Sequence, residues 1–221
     1  MKLSLIIPAY NEEERISSVI RDYKTLSDEL IIVADGDDRT AEIARKAGAR
    51  VLDFDKRLGK GGAVIEGFKV ARFDILGFVD SDGSVSPTDF KNLIKTMETK
   101  EADVVIGSRR VEGSRITRHQ PRERRIMSHI FNLCVNLLFS LKLPDTQCGA
   151  KIFKKECINK VIPHMKSTGF EFDVELLWRL REIGCRIEQS PISWSHKEGS
   201  KFSLMHGPKM LLSLIKIRLG L

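Results

Sequence analysis

The sequence has little of what holds a small secreted domain or a membrane span together. Only four of its 221 residues are cysteines, with no C-x-x-C spacing or paired-histidine pattern, so neither a disulfide framework nor a zinc site is expected. No run of about 20 apolar residues occurs, which argues against a transmembrane helix. Met1 and Lys2 lead straight into an apolar segment, so no signal peptide is expected. These absences favour a domain with free thiols in a reducing cytoplasm.

Aromatic residues are also scarce, at 7%, and the sequence shows no repeats, low-complexity tracts or linkers. The apolar content of 42% is nevertheless too high for a disordered chain, and the length suffices to bury a core without disulfides or a structural metal. We therefore predict one domain over residues 1–221, with residues 1–110 and 111–221 as its two functional halves.

Positive charge is in excess, since 37 Lys and Arg face 30 Asp and Glu for a net charge of +7. Such a charge suits nucleic acid, an anionic membrane surface or a phosphorylated substrate. Arginines are concentrated in residues 109–125, at positions 109, 110, 115, 118, 122, 124 and 125. Aromatic residues do not alternate with them and no nucleic-acid-binding motif is present, so a basic nucleic-acid-binding module is only a distant alternative.

Short apolar runs alternate with helical patterns through the first half. Strands are predicted at residues 3–7, 29–34, 50–53, 75–79 and 103–106, and helices at residues 11–23, 40–47, 59–71 and 88–99. Fully apolar strands in this rhythm predict an α/β fold, a mostly parallel sheet covered by helices on both faces. Ligands of such sheets bind beyond the carboxyl ends of the strands.

Polar clusters follow three of the predicted strands. They are Tyr10-Asn11-Glu12 after the first, Asp35 and Asp37 after the second, and Asp80-Ser81-Asp82 after the fourth. Two carboxylates two residues apart at a strand end suit one Mg²⁺ or Mn²⁺ ion, although Asp-Ser-Asp-Gly is also good surface-turn chemistry. Asp35 suits either a hydrogen bond from a nucleobase or ribose, or a helix cap.

A glycine-rich turn at residues 58–62 carries one lysine, Lys60, and favours close approach of the backbone to a nucleotide. The turn does not match G-x-x-x-x-G-K-[ST], and no G-x-G-x-x-G follows the first strand. ATPase and dinucleotide-dehydrogenase functions are therefore not supported.

The second half contains a helix with one polar stripe. Residues 126–141 carry no formal charge, and Ser128, Asn132, Asn136 and Ser140 recur at every fourth position. This length is too short to span a bilayer but long enough to lie in its interface. Together with the preceding arginines it predicts membrane docking, while a core helix or a dimer contact is the alternative. A second amphipathic, weakly basic helix is predicted at residues 210–221.

Four segments of the first half resemble motifs of the inverting family 2 glycosyltransferases. They are IPAYNEE at residues 7–13, Asp35-Gly36, GKGGA at residues 59–63 and DSDG at residues 80–83. Four more resemble the polyprenyl-phosphate hexosyltransferases, which include dolichyl-phosphate mannose synthases and dolichyl-phosphate glucosyltransferases: GSR at residues 107–109, DTQCGAK at 145–151, FDVELL at 172–177 and EGSK at 198–201. The second set leans toward the glucosyl branch, and Ser84 stands where the mannose synthases have a glutamine metal ligand.

The resemblance implies a GT-A (Rossmann-like) fold, a UDP- or GDP-hexose donor, Mg²⁺ or Mn²⁺, and a polyprenyl or dolichyl phosphate acceptor at the cytoplasmic face of a membrane. The metal ligands it implies are Asp80 and Asp82. The candidate nucleotide-sugar site comprises Pro8, Ala9, Tyr10, Asn11, Glu12, Asp35, Asp37, Lys60, Asp80, Ser81 and Asp82. A homo-oligomer or a separate membrane-anchoring partner stays open.

The acceptor decides which side chains catalysis needs. A lipid monophosphate is already largely dianionic at pH 7 and needs positioning more than a base. Basic candidates for its phosphate are Arg109, which also lies near the donor phosphates, Arg122, Arg124, Arg125 and Lys201. A glycan or soluble hydroxyl acceptor would instead need a carboxylate base. Asp173 stands at the place of the family's catalytic Asp, as base or positioning residue; alternatively, Asp173 and Glu175 are ordinary helix-surface charges.

Overall fold

A computed structural model describes residues 1–118, 121–195 and 206–220 of the chain, without the side chains of Arg122, Arg124 and His206. The strands are β1 (Leu3–Ala9), β2 (Glu29–Ala34), β3 (Arg50–Asp53), β4 (Ile75–Val79), β5 (Val104–Ser108), β6 (Arg115–Arg118), β7 (Ala150–Lys154), β8 (Ile187–Pro191) and β9 (Ser193–Ser195). The α-helices are α1 (Ile16–Tyr23), α2 (Thr40–Lys46), α3 (Gly59–Val70), α4 (Pro87–Lys100), α5 (Arg122–Phe139), α6 (Lys155–Val161), α7 (Phe172–Glu182) and α8 (His206–Arg218), and a 3-10 turn covers Ile162–His164.

Seven strands form one sheet in the order β3-β2-β1-β4-β7-β5-β8. All neighbours in it run parallel except β7, which is antiparallel to both β4 and β5. The mostly parallel α/β sheet predicted from the apolar strands is therefore confirmed. Because β7 runs against β4, its first residue, Ala150, pairs with the last residue of β4, Val79. This register brings the segment before β7 against the acidic segment that follows β4.

Both faces of the sheet are buried along β1, β2, β4 and β5, which explains why these strands carry apolar residues at successive positions. In β1, Leu5 and Ile7 belong to the core cluster that includes residues of α1 and α4, and Ile6 belongs to the one that includes residues of α3 and α7. Helix α3 approaches β1 closely, since a Cβ atom on Gly67 would lie 2.6 Å from a methyl carbon of Ile6. This close packing fixes the second half of α3 against the middle of β1.

Several predicted bounds differ from the structure, and the last helix begins at His206 rather than at residue 210. The first helix begins at Ile16 rather than at residue 11, because Asn11 has a left-handed backbone conformation with φ of 53°. The segment 109–125, expected to be a loop, contains the exposed strand β6, which pairs in parallel with β9. Helix α5 begins at Arg122, four residues before the predicted start, and ends at Phe139 because Ser140 is left-handed.

Helix α5 turns its polar stripe toward the protein. Arg110 donates to Ser128 Oγ over 2.8 Å, and Asn132 Nδ2 donates to the Leu143 carbonyl over 3.3 Å. Several apolar side chains of α5 are exposed on the other side, among them Leu133 and Leu137, at 61% and 75%. A helix buried on all sides is therefore excluded. None of the helices in the described ranges has the length and apolarity needed to cross a bilayer.

Candidate active site

A cavity of about 430 Å³ opens where β1, β2 and β4 end, a volume within the range of small-molecule sites. Most of the predicted site residues line it together. They are Pro8, Ala9, Tyr10, Glu12, Asp35, Lys60, Asp80, Ser81, Asp82, Arg109 and Asp173. The second half of the chain contributes further walls from α5, α7 and α8. The two halves of the chain therefore share one cavity.

Asn11 and Asp37, also predicted for this site, are not among the residues that line the cavity. Asn11 Nδ2 donates to Asp37 Oδ1 over 2.8 Å, and the Asp37 N–H donates back to Asn11 Oδ1 over 3.0 Å. Gly36 makes room for this pair, since a Cβ atom there would lie 2.0 Å from Asn11 Oδ1. The pair is exposed and joins the loops after β1 and β2 beside the cavity.

Asp35 holds the beginning of α3 beside the cavity. Its buried Oδ2 accepts the N–H groups of Leu58 and Gly59 over 2.8 and 3.1 Å. Burial raises the pKa of Asp35 above its ordinary value, although these hydrogen bonds oppose the shift. The alternative that Asp35 caps the next helix, α2, is wrong, because the N–H of Thr40 donates to Asp38 Oδ1 instead.

Tyr10 and Arg57 form a flat wall of the cavity next to Asp35. The Arg57 guanidinium lies 4.1 Å from the centroid of the Tyr10 ring, within cation–π range, and both residues line the cavity. Arg57 was not singled out from the sequence. Its position directly before the glycine-rich turn at residues 58–62 was the available signal. Stacked planar groups of this kind suit a nucleobase.

Asp80 and Asp82 lie at the end of β4, as predicted. The Asp80 N–H donates to the Gly149 carbonyl over 2.8 Å, and a Cβ atom on Gly149 would lie 1.9 Å from Asp80 Oδ2. Asp82 Oδ1 accepts the Ser84 N–H over 2.9 Å, while the buried Ser84 Oγ has no hydrogen-bond partner among the described residues. The Asp80 carboxylate also pairs with Lys60 Nζ over 2.8 Å. Together the two carboxylates and the unpartnered Ser84 hydroxyl form an oxygen donor set that fits a hard divalent cation.

Asp173 and Glu175 are both buried, so the alternative that they are helix-surface charges is wrong. Asp173 Oδ1 accepts from Lys151 Nζ over 2.5 Å, and Asp173 Oδ2 lies 3.5 Å from Lys60 Nζ. Glu175 accepts the N–H groups of residues 166 and 167 and pairs with Arg179. Glu175 therefore holds the loop before α7, while Asp173 faces the cavity.

Arg109 makes a bidentate ion pair with Asp145. Its Nε and Nη2 atoms lie 2.7 and 2.8 Å from the two carboxylate oxygens, and its main-chain N–H donates to Oδ2 as well. Burial alone would raise the pKa of Asp145, but Arg109 outweighs it and lowers that pKa below its ordinary value. The guanidinium also lies 5.2 Å from the centroid of the Trp194 ring. Arg109 lines the cavity while paired in this way.

The remaining candidates for the acceptor phosphate are less well placed or not described. Arg125 is exposed on the first turn of α5 and is not among the residues lining the cavity. The side chains of Arg122 and Arg124, and the whole of Lys201, lie outside the described residues. Their assignment to an acceptor phosphate stays a prediction.

An apolar extension of the cavity, not anticipated from the sequence, runs between α5 and α8. Its walls are Met127, Ile130, Phe131 and Cys134 of α5 and Met210 and Leu211 of α8. One cavity therefore joins an acidic end at β4 to an apolar end between two helices.

Gln147 and Trp194 also line the cavity. Cys148, which follows Gln147, is a packing residue, because burial raises the pKa of its thiol to about 12.

Comparison with known proteins identifies relatives along most of the chain. Residues 4–162 match the family described as glycosyl transferase family 2. Glycosyltransferase AglD of Haloferax volcanii is 32% identical over 219 positions, which cover 93% of this chain but only 35% of AglD. The dolichyl-phosphate beta-glucosyltransferase of Saccharomyces cerevisiae is 32% identical over 248 positions, covering 99% of this chain and 74% of that protein. The chain thus spans about a third of one relative and most of the other.

Solved structures share the fold. A crystal structure of glucosyl-3-phosphoglycerate synthase from Mycobacterium tuberculosis, in complex with Mn²⁺, UDP and glucosyl-3-phosphoglycerate, superposes with a TM-score of 0.75. The match covers 100% of this chain and 80% of that chain at 21% identity. Another structure of that enzyme contains Mg²⁺ and UDP, and its TM-score is 0.76. The expected GT-A arrangement is confirmed by this likeness.

Proposed function

The chain belongs to glycosyl transferase family 2, and from this premise we propose that it transfers a hexose from a nucleotide sugar to a polyprenyl phosphate of the dolichyl-phosphate type at a membrane surface. The observation that carries the proposal is the different polarity of the two ends of the cavity. Its acidic end suits a divalent cation that would bind the diphosphate of a donor, and its apolar end between α5 and α8 suits the first isoprenoid units of an acceptor. The donor carbon and the acceptor phosphate would meet between these ends.

We propose glucose as the hexose and uridine as the nucleoside of the donor. The name of the yeast relative, the segments at residues 145–151 and 172–177, and Ser84 in place of a glutamine favour glucose over mannose. UDP in the structurally similar synthase supports uridine over guanosine. In this proposal Tyr10 and Arg57 flank the base, and Asp35 lies beside the ribose.

Asp80 and Asp82 would hold a Mg²⁺ or Mn²⁺ ion in this proposal, since their carboxylates and the nearby Ser84 hydroxyl fit such an ion. When bound, the ion supplies positive charge that compensates the departing nucleoside diphosphate. The acceptor phosphate is already largely dianionic at pH 7, so this chain's residues need to bind and orient it rather than remove a proton. Attack from the face opposite the leaving group would invert the anomeric carbon.

The proposed membrane contact uses the outward face of α5. Ile126, Leu133 and Leu137 are exposed there, and the first turn of the helix carries Arg122, Arg124 and Arg125. Arginines at the headgroup level and apolar side chains below them are the arrangement of an interfacial helix. We propose peripheral attachment to the cytoplasmic face, with the apolar end of the cavity open toward the lipid.

A transfer assay with the purified 221-residue chain tests the function. UDP-glucose is supplied with Mn²⁺ and a short polyprenyl phosphate in detergent, and separate reactions contain 3-phosphoglycerate or a free sugar as acceptor. We expect glucose to appear on the polyprenyl phosphate alone, and Asp82→Ala or EDTA to lower the rate by at least about 100-fold. Glucose on a soluble acceptor only, or full activity of Asp82→Ala, would contradict the proposal.

A further inference from the structure

Four side chains of alternating charge form a line from the centre of the sheet to the cavity. Lys151 Nζ lies 2.5 Å from Asp173 Oδ1, Asp173 Oδ2 lies 3.5 Å from Lys60 Nζ, and Lys60 Nζ lies 2.8 Å from Asp80 Oδ1. We call this chain of ion pairs, formed by Lys151, Asp173, Lys60 and Asp80, the charge relay. These residues come from β7, α7, α3 and the end of β4, so the relay joins four separate elements. Its last member, Asp80, is one of the two proposed metal ligands.

Two members of the relay are almost completely buried. Lys151 is 0% exposed and Asp173 is 1% exposed. A buried charge costs free energy unless it is paired and hydrogen-bonded, and buried ion pairs are often no more stabilising than apolar side chains of similar volume. The Lys151 ammonium also donates to the Cys148 carbonyl over 2.6 Å, next to the Gly149 that abuts Asp80. Such an arrangement is better explained by positioning than by stability.

The contacts of Asp173 do not suit a general base. A base must reach the acceptor proton over about 2.6–3.2 Å with an available oxygen. Each Asp173 oxygen instead faces an ammonium group, Lys151 at one and Lys60 at the other. A dianionic phosphate acceptor also has no proton that must be removed. The carboxylate is therefore placed to hold two lysines rather than to accept a proton from substrate.

Lys60 connects the buried Asp173 to Asp80 at the cavity. Its Nζ contacts both Asp80 oxygens, at 2.8 and 3.1 Å, and its side chain is only 12% exposed. Asp173 Oδ2, at 3.5 Å, is a second carboxylate contact of the same ammonium, and in the order of the relay it stands on the other side of Lys60 from Asp80. Fixed charges of this kind need no rearrangement when charge develops on a leaving group.

We propose that Lys151 and Asp173 are positioning residues that hold Lys60 against Asp80, and that Asp173 is not the base of the reaction. This inference rests on the proposed function, because it assigns Asp80 to the donor diphosphate and its metal. The property it predicts is binding of a nucleoside diphosphate with Mn²⁺, which can be measured without any acceptor.

Calorimetric titration with UDP and Mn²⁺ tests the charge relay. We expect Lys60→Met, Asp173→Asn and Lys151→Met each to weaken UDP binding by about 10- to 100-fold, as is typical when partners of metal ligands are removed. Combining Lys60→Met with Asp173→Asn should cost less than the product of the single effects, because both break one interaction. Lys69→Met, an exposed lysine on the same helix, is the matched control and should bind UDP normally.

Turnover of the same variants separates the two roles of Asp173. A general base predicts that Asp173→Asn keeps normal UDP affinity while kcat falls by about 100-fold or more, and this result would overturn the inference. Lys151→Met alone leaves the buried Asp173 carboxylate with only Lys60 as a partner in the described part of the chain, which destabilises the fold. The combination of Lys151→Met with Asp173→Asn removes one positive and one negative charge together, so it is the control for misfolding. That combination should melt near the unaltered chain and still bind UDP weakly; normal UDP binding would overturn the charge relay.

The charge relay and the proposed function can fail independently. If the chain binds UDP and Mn²⁺ but does not glucosylate polyprenyl phosphate, the acceptor assignment fails, while weak binding by all three single variants still supports the relay. If the chain glucosylates polyprenyl phosphate and the three variants bind UDP normally, the relay fails and the function stands.

Discussion

At the scale of single residues, Arg109 and Asp145 show how one buried contact joins two sequence motifs. Arg109 follows β5 and Asp145 begins the segment that leads to β7, 36 residues later. Asp145 is buried, and its carboxylate accepts both edges of the guanidinium and a main-chain N–H. Because the guanidinium also lies over Trp194, this contact fixes one wall of the cavity.

Removing the charge of Asp145 should be costly. We expect Asp145→Asn to lower the free energy of unfolding at pH 7 by about 3 kcal/mol, because the Arg109 guanidinium would stay buried beside a neutral amide. Asp53→Asn is the matched control, since the Arg45–Asp53 pair has the same 2.7 Å separation but is exposed. Its expected loss is below about 1 kcal/mol. Urea unfolding measures both, and equal losses would contradict the prediction.

The Arg109–Asp145 pair also predicts how the free energy of unfolding depends on pH. The pKa of Asp145 is lowered by Arg109 in the folded chain, whereas an unfolded Asp titrates near about 3.9. The stabilisation is therefore complete above about pH 4 and is lost as pH falls through the lowered folded-state value. The difference in unfolding free energy between the unaltered chain and Asp145→Asn should be constant from about pH 5 to 7 and should narrow below about pH 4.

At the scale of elements, apolar runs that end in Asp or Gly predicted strands well. The bounds predicted for β2, β3 and β4 agree with the structure. Strands β2 and β4 fill both faces of the buried part of the sheet and stop at Asp35 and Asp80, whereas the edge strand β3 ends at Asp53. Strand β6 was missed because it is exposed and rich in arginine, and its partner, β9, lies about 75 residues away. Propensity along the chain carries no information about such a pairing.

The acidic residues of the site could be predicted from the sequence, whereas the contacts between residues of distant segments could not. Asp80 and Asp82 follow an apolar strand, so their place at the sheet edge could be inferred from the chain alone. Lys151 reads as an ordinary strand residue, and its contact with Asp173 exists only because β7 is inserted antiparallel between β4 and β5. The apolar extension likewise depends on how α5 packs against α8.

The exposed apolar face of helix α5 predicts how the chain binds to a membrane. Leu133→Glu combined with Leu137→Glu should reduce binding to phospholipid vesicles several-fold, because charged side chains would replace apolar ones on the face proposed to enter the interface. Both positions are exposed, so the free energy of unfolding should change by less than about 0.5 kcal/mol each. Ile183→Glu, on an exposed apolar residue at the end of α7, is the control. Unchanged vesicle sedimentation would contradict the interfacial role of α5.

At the scale of the whole molecule, the positive charge is unevenly distributed. Residues 1–110 hold 18 Lys and Arg against 20 Asp and Glu, a net charge of −2, whereas residues 111–221 hold 19 against 10, a net charge of +9. The half proposed to bind the donor is therefore slightly acidic, and the half proposed to bind the lipid acceptor carries the whole excess. An anionic surface would attract this second half and orient the molecule.

This asymmetry predicts that membrane binding has a salt-sensitive and a salt-resistant part. Raising NaCl from 0.1 M to 1 M shortens the screening length from about 10 Å to about 3 Å, so binding to vesicles that contain phosphatidylserine should weaken by at least about 10-fold. Binding to neutral phosphatidylcholine vesicles should change little, because only the apolar face of α5 contributes there. The variant with glutamates at positions 133 and 137 should lose the salt-resistant part and keep the salt-sensitive one. Equal salt dependence on both kinds of vesicle would show that the net charge of +9 in residues 111–221 does not face the membrane.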